Sequence, residues 1–223
     1  MAYADIGDKS SGDTITEANW DQIRANFQAS AIDIVTTKGD IAVATAADTL
    51  SRLAVGSDHD EIIADSGETT GLAYRHRPSV RVYNSGNYDP TAATWESVTF
   101  DSERWDTDTL HDTSTNTDRL TVPADCDGIY EIGACMQFDT GDSANAASVV
   151  GIRFLLNGAT VIAEDLRNHY RAGAFDVVVS LTTQYDLDAT DYVVAQVYTS
   201  RDVDVIAAAN FSPEFWMTYL RSR

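Results

Sequence analysis

The chain has 223 residues, 43% of them hydrophobic, with 35 acidic against 15 basic side chains and a formal net charge of −20. That length allows one sizeable domain plus a smaller appended part, and that apolar content excludes global disorder. A surface so acidic repels phosphates and anionic headgroups, which disfavours nucleic acid and membranes as partners.

The acidity is also lopsided in kind. Lysine occurs only at Lys9 and Lys38, Arg supplies the other positive charges, and Asp outnumbers Glu. Excess carboxylate with almost no lysine is the habit of proteins that work in concentrated salt, where a Debye length of about 3 Å at 1 M screens self-repulsion. The composition therefore predicts a halophilic setting; an ordinary acidic protein from a GC-rich genome is the competing reading.

Residues 1–15 carry turn chemistry at Gly7, Ser10, Ser11, Gly12 and Asp13 and read as irregular. They lack the charged-then-apolar layout of a secretion signal, and no apolar run approaches the roughly 18 residues that span a bilayer. A short helix is expected next. Thr16 suits the N-cap, Glu17 the first turn, and Trp20, Ile23 and Phe27 recur at helical spacing. About three turns do not persist on propensity alone, so this apolar face must dock on the same chain, on symmetry mates or on a larger particle. Residues 1–35 are taken as the anchor segment.

Residues 36–78 form a predicted strand-and-turn stalk. Ile41 to Ala44, Leu50 to Val55 and Glu61 to Ala64 are strand-sized and split by Gly and Asp turns. None builds a core alone, so the segment calls for a partner chain or a neighbouring domain. The order Thr36, Lys38-Gly39-Asp40, Arg52-Leu53-Ala54-Val55-Gly56, Ala64-Asp65-Ser66 and Thr70-Gly71-Leu72 resembles a connector of tailed-virus fibre and virion structural proteins. In that family a helical N-terminus ahead of the connector serves attachment, which implies an anchoring role for Trp20, Ile23 and Phe27 and a place on the virion. Arg75-His76-Arg77-Pro78 is the one concentrated basic spot. Pro78 pushes Arg77 toward an extended conformation, and the head is expected from residue 79 to 223.

From Ser79 onward the reading is β throughout. Expected strands are Val80–Tyr83, Trp95–Phe100, Arg119–Val122, Gly128–Phe138, Ala147–Leu156, Ala159–Leu166, Ala174–Leu181, Tyr192–Tyr198, Val203–Ala208 and Phe215–Leu220. Asn157-Gly158 signals a two-residue hairpin. About ten short, regularly spaced strands predict a mainly β fold whose head is a jelly-roll sandwich. Trp95, Phe100, His111, Asn116, Arg119-Leu120-Thr121-Val122-Pro123 and Gly128-Ile129-Tyr130, with the closing Phe215 to Leu220, resemble the complement-globular-head and tumour necrosis factor superfamily. That resemblance implies a ten-stranded jelly roll and homotrimers, with Trp216 or Tyr219 at the trimer axis. Trp95 is expected in the core. Trp105, between charged neighbours, is expected in a loop as an exposed contact.

Catalytic chemistry finds no motif. The four histidines sit in unrelated polar settings, and neither a nucleophile elbow, a zinc-protease motif nor a phosphate-cradling loop occurs. Asp106, Asp108 and Asp112 form the densest set of oxygen ligands, yet Leu110 and a missing Gly depart from a calcium loop, so a solvated acidic loop is expected. Asp58-His59-Asp60-Glu61 reads the same way. Cys126 and Cys135 have no metal-ligand spacing, are expected as free thiols, and Cys135 reads as a small buried hydrophobe. Asn210-Phe211-Ser212 is a glycosylation tripeptide weakened by Pro213.

The expected function is a non-enzymatic virion appendage without cofactors, anchored to other virion proteins through its N-terminus. It would project a trimeric fibre head for host attachment, with a surface glycan or glycoprotein as the target. Capsid decoration is the alternative. The loops Tyr83 to Thr94, Asp139 to Asn145 and Asn168 to Gly173 are the expected contacts.

Overall fold

Thr16 and Asn19 start the helix together. Thr16 Oγ1 accepts the Asn19 N–H at 3.3 Å while Asn19 Oδ1 accepts the Thr16 N–H at 3.1 Å, a reciprocal cap built with Asn in place of Glu. Helix α1 runs Glu17–Gln28. The structure, a computed structural model, describes residues 14–28, 34–47, 49–58, 60–139, 148–169 and 176–223. The chain divides into two compact units, Met1–His76 and Arg77–Arg223.

Beyond α1 the described residues of the first unit form two antiparallel hairpins, β1 (Ile41–Ala46) with β2 (Thr49–Leu53) and β3 (Glu61–Ala64) with β4 (Leu72–Arg75). An Asp immediately before each hairpin sets its geometry. The Asp40 carboxylate accepts N–H groups from Thr36 at 2.9 Å, Thr37 at 2.8 Å and Val55 at 3.2 Å, and Arg52 reaches both Asp40 and Thr36. Those bonds, led by that from Thr36, hold the Asp40 carboxyl below its usual range. Asp60 accepts the Ser57 N–H at 2.7 Å and lies 3.1 Å from His76 Nδ1. Gly39, at φ 93°, is required twice over: a Cβ there would sit 2.7 Å from Val55 Cγ2.

The described residues of the second unit supply ten strands: β5 (Ser79–Tyr83), β6 (Trp95–Ser97), β7 (Ser102–Asp106), β8 (Arg119–Thr121), β9 (Gly128–Phe138), β10 (Ser148–Leu156), β11 (Thr160–His169), β12 (Val177–Leu187), β13 (Tyr192–Thr199) and β14 (Glu214–Arg221). They form a jelly-roll sandwich. One sheet runs β12-β9-β14-β5-β7; the other runs β11-β10-β13-β6, with β8 also on β13. The mainly β architecture with a short N-terminal helix is as expected. Alternation dictates the core: Val80 and Val82, Ile132, Ala134 and Met136, and Phe215 and Met217 face inward from the first sheet onto Ile152, Phe154, Val193, Ala195 and Val197 of the second. Phe215 packs on both Phe100 and Phe154, at centroid distances of 5.6 and 5.7 Å.

Four local expectations need correction. Trp95 is not in the core. It opposes Tyr198 on the outward side of β13, 5.4 Å between rings, with the Arg153 guanidinium 4.4 Å above it, while Val98 and Phe100 fill the interior. Val203–Ala208 is not a strand; buried Val205 makes only isolated bridges to Tyr88 and Phe138. Trp105 is on strand β7 rather than in a loop. Leu156 pairs with Thr160, so the Asn157-Gly158 turn spans three residues, with Asn157 and Gly158 both at positive φ.

Neither cysteine is joined in a disulfide. Cys126 packs on the core from its turn, and the Cys135 sulfur takes the Ser180 hydroxyl at 3.2 Å on the outer face of the sheet, half-exposed rather than buried.

Thr199 points its hydroxyl into the interior, where it has no hydrogen-bond partner among the described residues. An unpaired buried hydroxyl is a penalty that an isosteric methyl removes. Thr199→Val is therefore expected to raise stability by about 1 kcal/mol, read as a higher midpoint in urea unfolding; an unchanged or lower midpoint would contradict the placement.

Candidate functional site

Strand β7 owes its shape to a bulge. Trp105 pairs with Arg81 and Glu103 with Val82, so Arg104 is the extra residue and shares the outer face of the sheet with Trp105. The outer face of β5 and β14 then supplies Arg81, Tyr83, Glu214 and Trp216 by simple alternation.

These residues form one cluster. Glu214 is fully buried, and its carboxylate pairs with Arg81 through Nε and with Arg104 through Nη2 at 3.0 Å. The guanidinium groups also close down the loop that leads into β14, Arg81 on the Asn210 carbonyl at 3.2 Å and Arg104 on the Ala209 carbonyl at 3.1 Å. Aromatic rings complete the cage. Arg81 lies 5.6 Å from the Trp216 ring and 6.0 Å from the Trp105 ring, and Arg104 lies 3.9 Å from Tyr83. Trp216 lies flat on β9, where a Cβ on Gly133 would fall 2.2 Å from its ring. Trp105 donates its indole N–H to Ser79 Oγ at 3.0 Å and remains 46% exposed.

The fold thus brings together Trp105 and Trp216, which the sequence reading placed in different roles, and joins them through Arg81. Tyr219 is elsewhere. It is 3% exposed, inside the core, edge-on to Tyr130 at 5.3 Å, because its parity on β14 is opposite to that of Trp216. Burial pushes the Tyr130 phenol up, and its hydroxyl donates to the Cys126 carbonyl at 2.7 Å. The signals for Arg81, Arg104 and Glu214 are absent from local sequence, because they meet across three strands.

Asp106, Asp108 and Asp112 do not converge as ligands. Asp106 accepts backbone N–H groups of Asp108, Leu110 and His111, and so folds its own turn. Asp112 accepts from the Ser114 hydroxyl at 2.7 Å and its N–H at 2.8 Å, which holds that carboxyl below its usual range. Leu110 and His111 are buried beneath the loop, with His111 Nδ1 3.0 Å from Glu103 Oε1 and Nε2 3.3 Å from the Thr117 carbonyl. An open cleft of about 350 Å³ beside them is lined by Asp106, Thr109, His111 and Asp112. Among the described residues no group of three metal-ligating side chains is assembled.

The other expected residues stand apart. Trp20 on α1 is 57% exposed and Ile23 half-buried; the Phe27 side chain lies outside the described residues. So do His59, residues 140–147 and residues 170–175, which hold most of two expected contact loops. In the third, the Tyr88 hydroxyl donates to the Ser97 carbonyl at 2.9 Å. The Ser212 hydroxyl of the glycosylation tripeptide is buried, donating to the Ile206 carbonyl at 2.8 Å.

No protein-family model matches the chain, and no curated protein matches it. Solved structures similar to it include murine APRIL at pH 5.0, at 9% identity and a TM-score of 0.46 over 65% of this chain and 99% of that one. The globular domain of zebrafish complement 1qA protein is similar at 14% identity and a TM-score of 0.45, over 66% of this chain and 98% of that one.

Proposed function

We propose that this chain is a non-enzymatic, homotrimeric appendage of a tailed virus, joined to other virion proteins through residues 1–35 and projecting its jelly-roll head for attachment to a host surface. The observation that carries the reading is structural. The connector pattern between Thr36 and Leu72 falls on the residues that set the hairpins: Asp40 and Arg52 form the first latch, Gly39 and Gly56 make close approaches that a Cβ would block, and Asp65 bonds Gly71 across the second turn. A match concentrated on structural residues is what shared architecture produces.

Self-association is supported by charge. Copies that each carry −20 repel, so they can meet only where carboxylates are missing or neutralised. The central strands β5, β14 and β9 turn such a surface outward. Of its carboxylates, Glu214 is buried between two arginines and Glu131 is half-buried. Trp216 and Trp105 are aromatic anchors of the kind that interfaces favour. Tyr219 is left out of the proposed contact.

Imaging purified particles in high salt tests the reading. Trimeric knobs on the tail or fibres are the expected result. Density on the capsid would make the protein a decoration instead, and absence from the particle would overturn a virion role.

A further inference from the structure

Strand β8 turns Arg119 and Thr121 outward on either side of buried Leu120. Residues 109–116 fold back beside that strand. They are fixed to it where the Thr121 N–H donates to the Leu110 carbonyl at 2.8 Å and the Arg119 N–H to the Asn116 carbonyl at 3.3 Å. Between them lies an open cleft of about 200 Å³, lined by Thr109, Asp112, Thr115, Asn116, Arg119 and Thr121. It adjoins the 350 Å³ cleft, with which it shares Thr109, His111 and Asp112.

The backbone is strained at residues that line this cleft. Thr109 holds φ 60° and Asn116 φ 53°, both in the left-handed region. Asn tolerates that region, but a β-branched Thr is crowded there, and Gly is the residue such a turn normally takes. Strain of this kind collects at binding sites, where the task of a side chain outweighs the relief of replacing it. The polar groups of the cleft are also uncommitted. Among the described residues the side chains of Thr109, Thr115, Asn116 and Thr121 make no hydrogen bond. The Arg119 guanidinium, among the same residues, makes neither a hydrogen bond nor an ion pair, and it is held over the Tyr192 ring at 4.5 Å. Asp112 commits Oδ1 to Ser114 and Thr115 and leaves Oδ2 open.

The set is mixed in charge and in hydrogen-bonding sense. Arg119 donates, Asp112 accepts, and Asn116 and the threonine hydroxyls do both. A carboxylated or phosphorylated ligand would pair with Arg119 but meet Asp112, Asp106 of the adjoining cleft and a chain of net −20. A cationic ligand would meet Arg119. An uncharged molecule with adjacent hydroxyls, each both donor and acceptor, uses every group. We propose that this cleft binds an uncharged pyranose ring through a pair of adjacent hydroxyls. Arg119 donates to them, Asp112 Oδ2 accepts from them, and Asn116 and Thr109 do both. The biological role of the site rests on the attachment reading above; its chemistry does not. Host contact then falls on residues 109–121 rather than on the three loops expected from the sequence.

The test is saturation-transfer NMR of the methyl glycosides of glucose, galactose and mannose with the full-length chain, in about 2 M NaCl so that long-range charge is screened. Binding of at least one of the three is expected, with its uronate analogue bound roughly tenfold or more weakly. Arg119→Met and Asn116→Gly are each expected to weaken binding by roughly tenfold. Thr109→Gly relieves the backbone. It is expected to melt no lower than the parent chain and yet to bind roughly fivefold more weakly, a combination that a purely structural Thr109 would not give. No binding of any of the three glycosides, undiminished binding by all three variants, or a uronate bound as tightly as the neutral sugar would overturn the inference. None of those outcomes touches the attachment reading, which particle imaging decides independently. A chain absent from the particle that still binds a glycoside through these residues would overturn that reading and uphold the site.

Discussion

Arg81→Ala is expected to destabilise the head by about 3 kcal/mol, a loss of roughly 6–12 °C in melting temperature for a unit of this size. Glu214 has no solvent to fall back on, because its side chain is fully covered by the two guanidinium groups and the loop they close. Removing one partner leaves a desolvated carboxylate only half compensated, which is the costly way to break a buried pair. The indole rings lose their packing partner as well, a smaller effect of about 0.5–1 kcal/mol per contact. The two sources separate in the double variant. Arg81→Ala with Glu214→Met removes the stranded charge, and Arg104 can turn to water because its side chain is 29% exposed. Most of the lost stability should return. If the double variant melts as low as the single one, loss of packing against Trp105 and Trp216 dominates, and the buried carboxylate is not what holds the cluster together.

Much of the head was legible because burial follows period two. Gly128–Phe138 matches its expected bounds, and β10, β13 and β14 differ at their ends by one residue. Strand β7 was illegible for a physical reason. Its bulge sets Arg104 and Trp105 on one face, which destroys the alternation that marks a strand. Trp95 misled because an aromatic in a β-rich sequence reads as core, whereas pairing with Tyr198 turns it outward. In the connector, residue types were visible and their reasons were not. Asp40 is recognisable in the sequence only as a turn residue. Its role appears when three backbone N–H groups, one of them fifteen positions away, point at its carboxylate. The candidate cluster was half visible. Trp105 and Trp216 stood out by size, but their neighbourhood depends on the register of β5 with β7 and β14, and that register is a long-range property.

Raising NaCl from 0.1 to 2 M is expected to raise the melting temperature by roughly 10 °C, about 3 kcal/mol for a chain of this length. Arg81 and Arg104 are held by Glu214, Arg52 by Asp40, Arg167 by Asp165, and Arg223 by Asp186 and Asp188. Acidic side chains outnumber basic ones 35 to 15, so most carboxylate charge is not neutralised by the chain's own cations, and at net −20 the mutual repulsion acts over about 10 Å in 0.1 M salt but only about 3 Å at 1 M. In the proposed oligomer the effect is amplified, because each copy added brings the same charge. Sedimentation should show the proposed oligomer falling apart at low salt before the head melts. Sucrose, which strengthens burial without screening charge, separates the two mechanisms. If sucrose reproduces the rise seen in NaCl, general exclusion accounts for it. If melting curves stay put from 0.1 to 2 M, the acidic surface is ordinary and the halophilic reading falls.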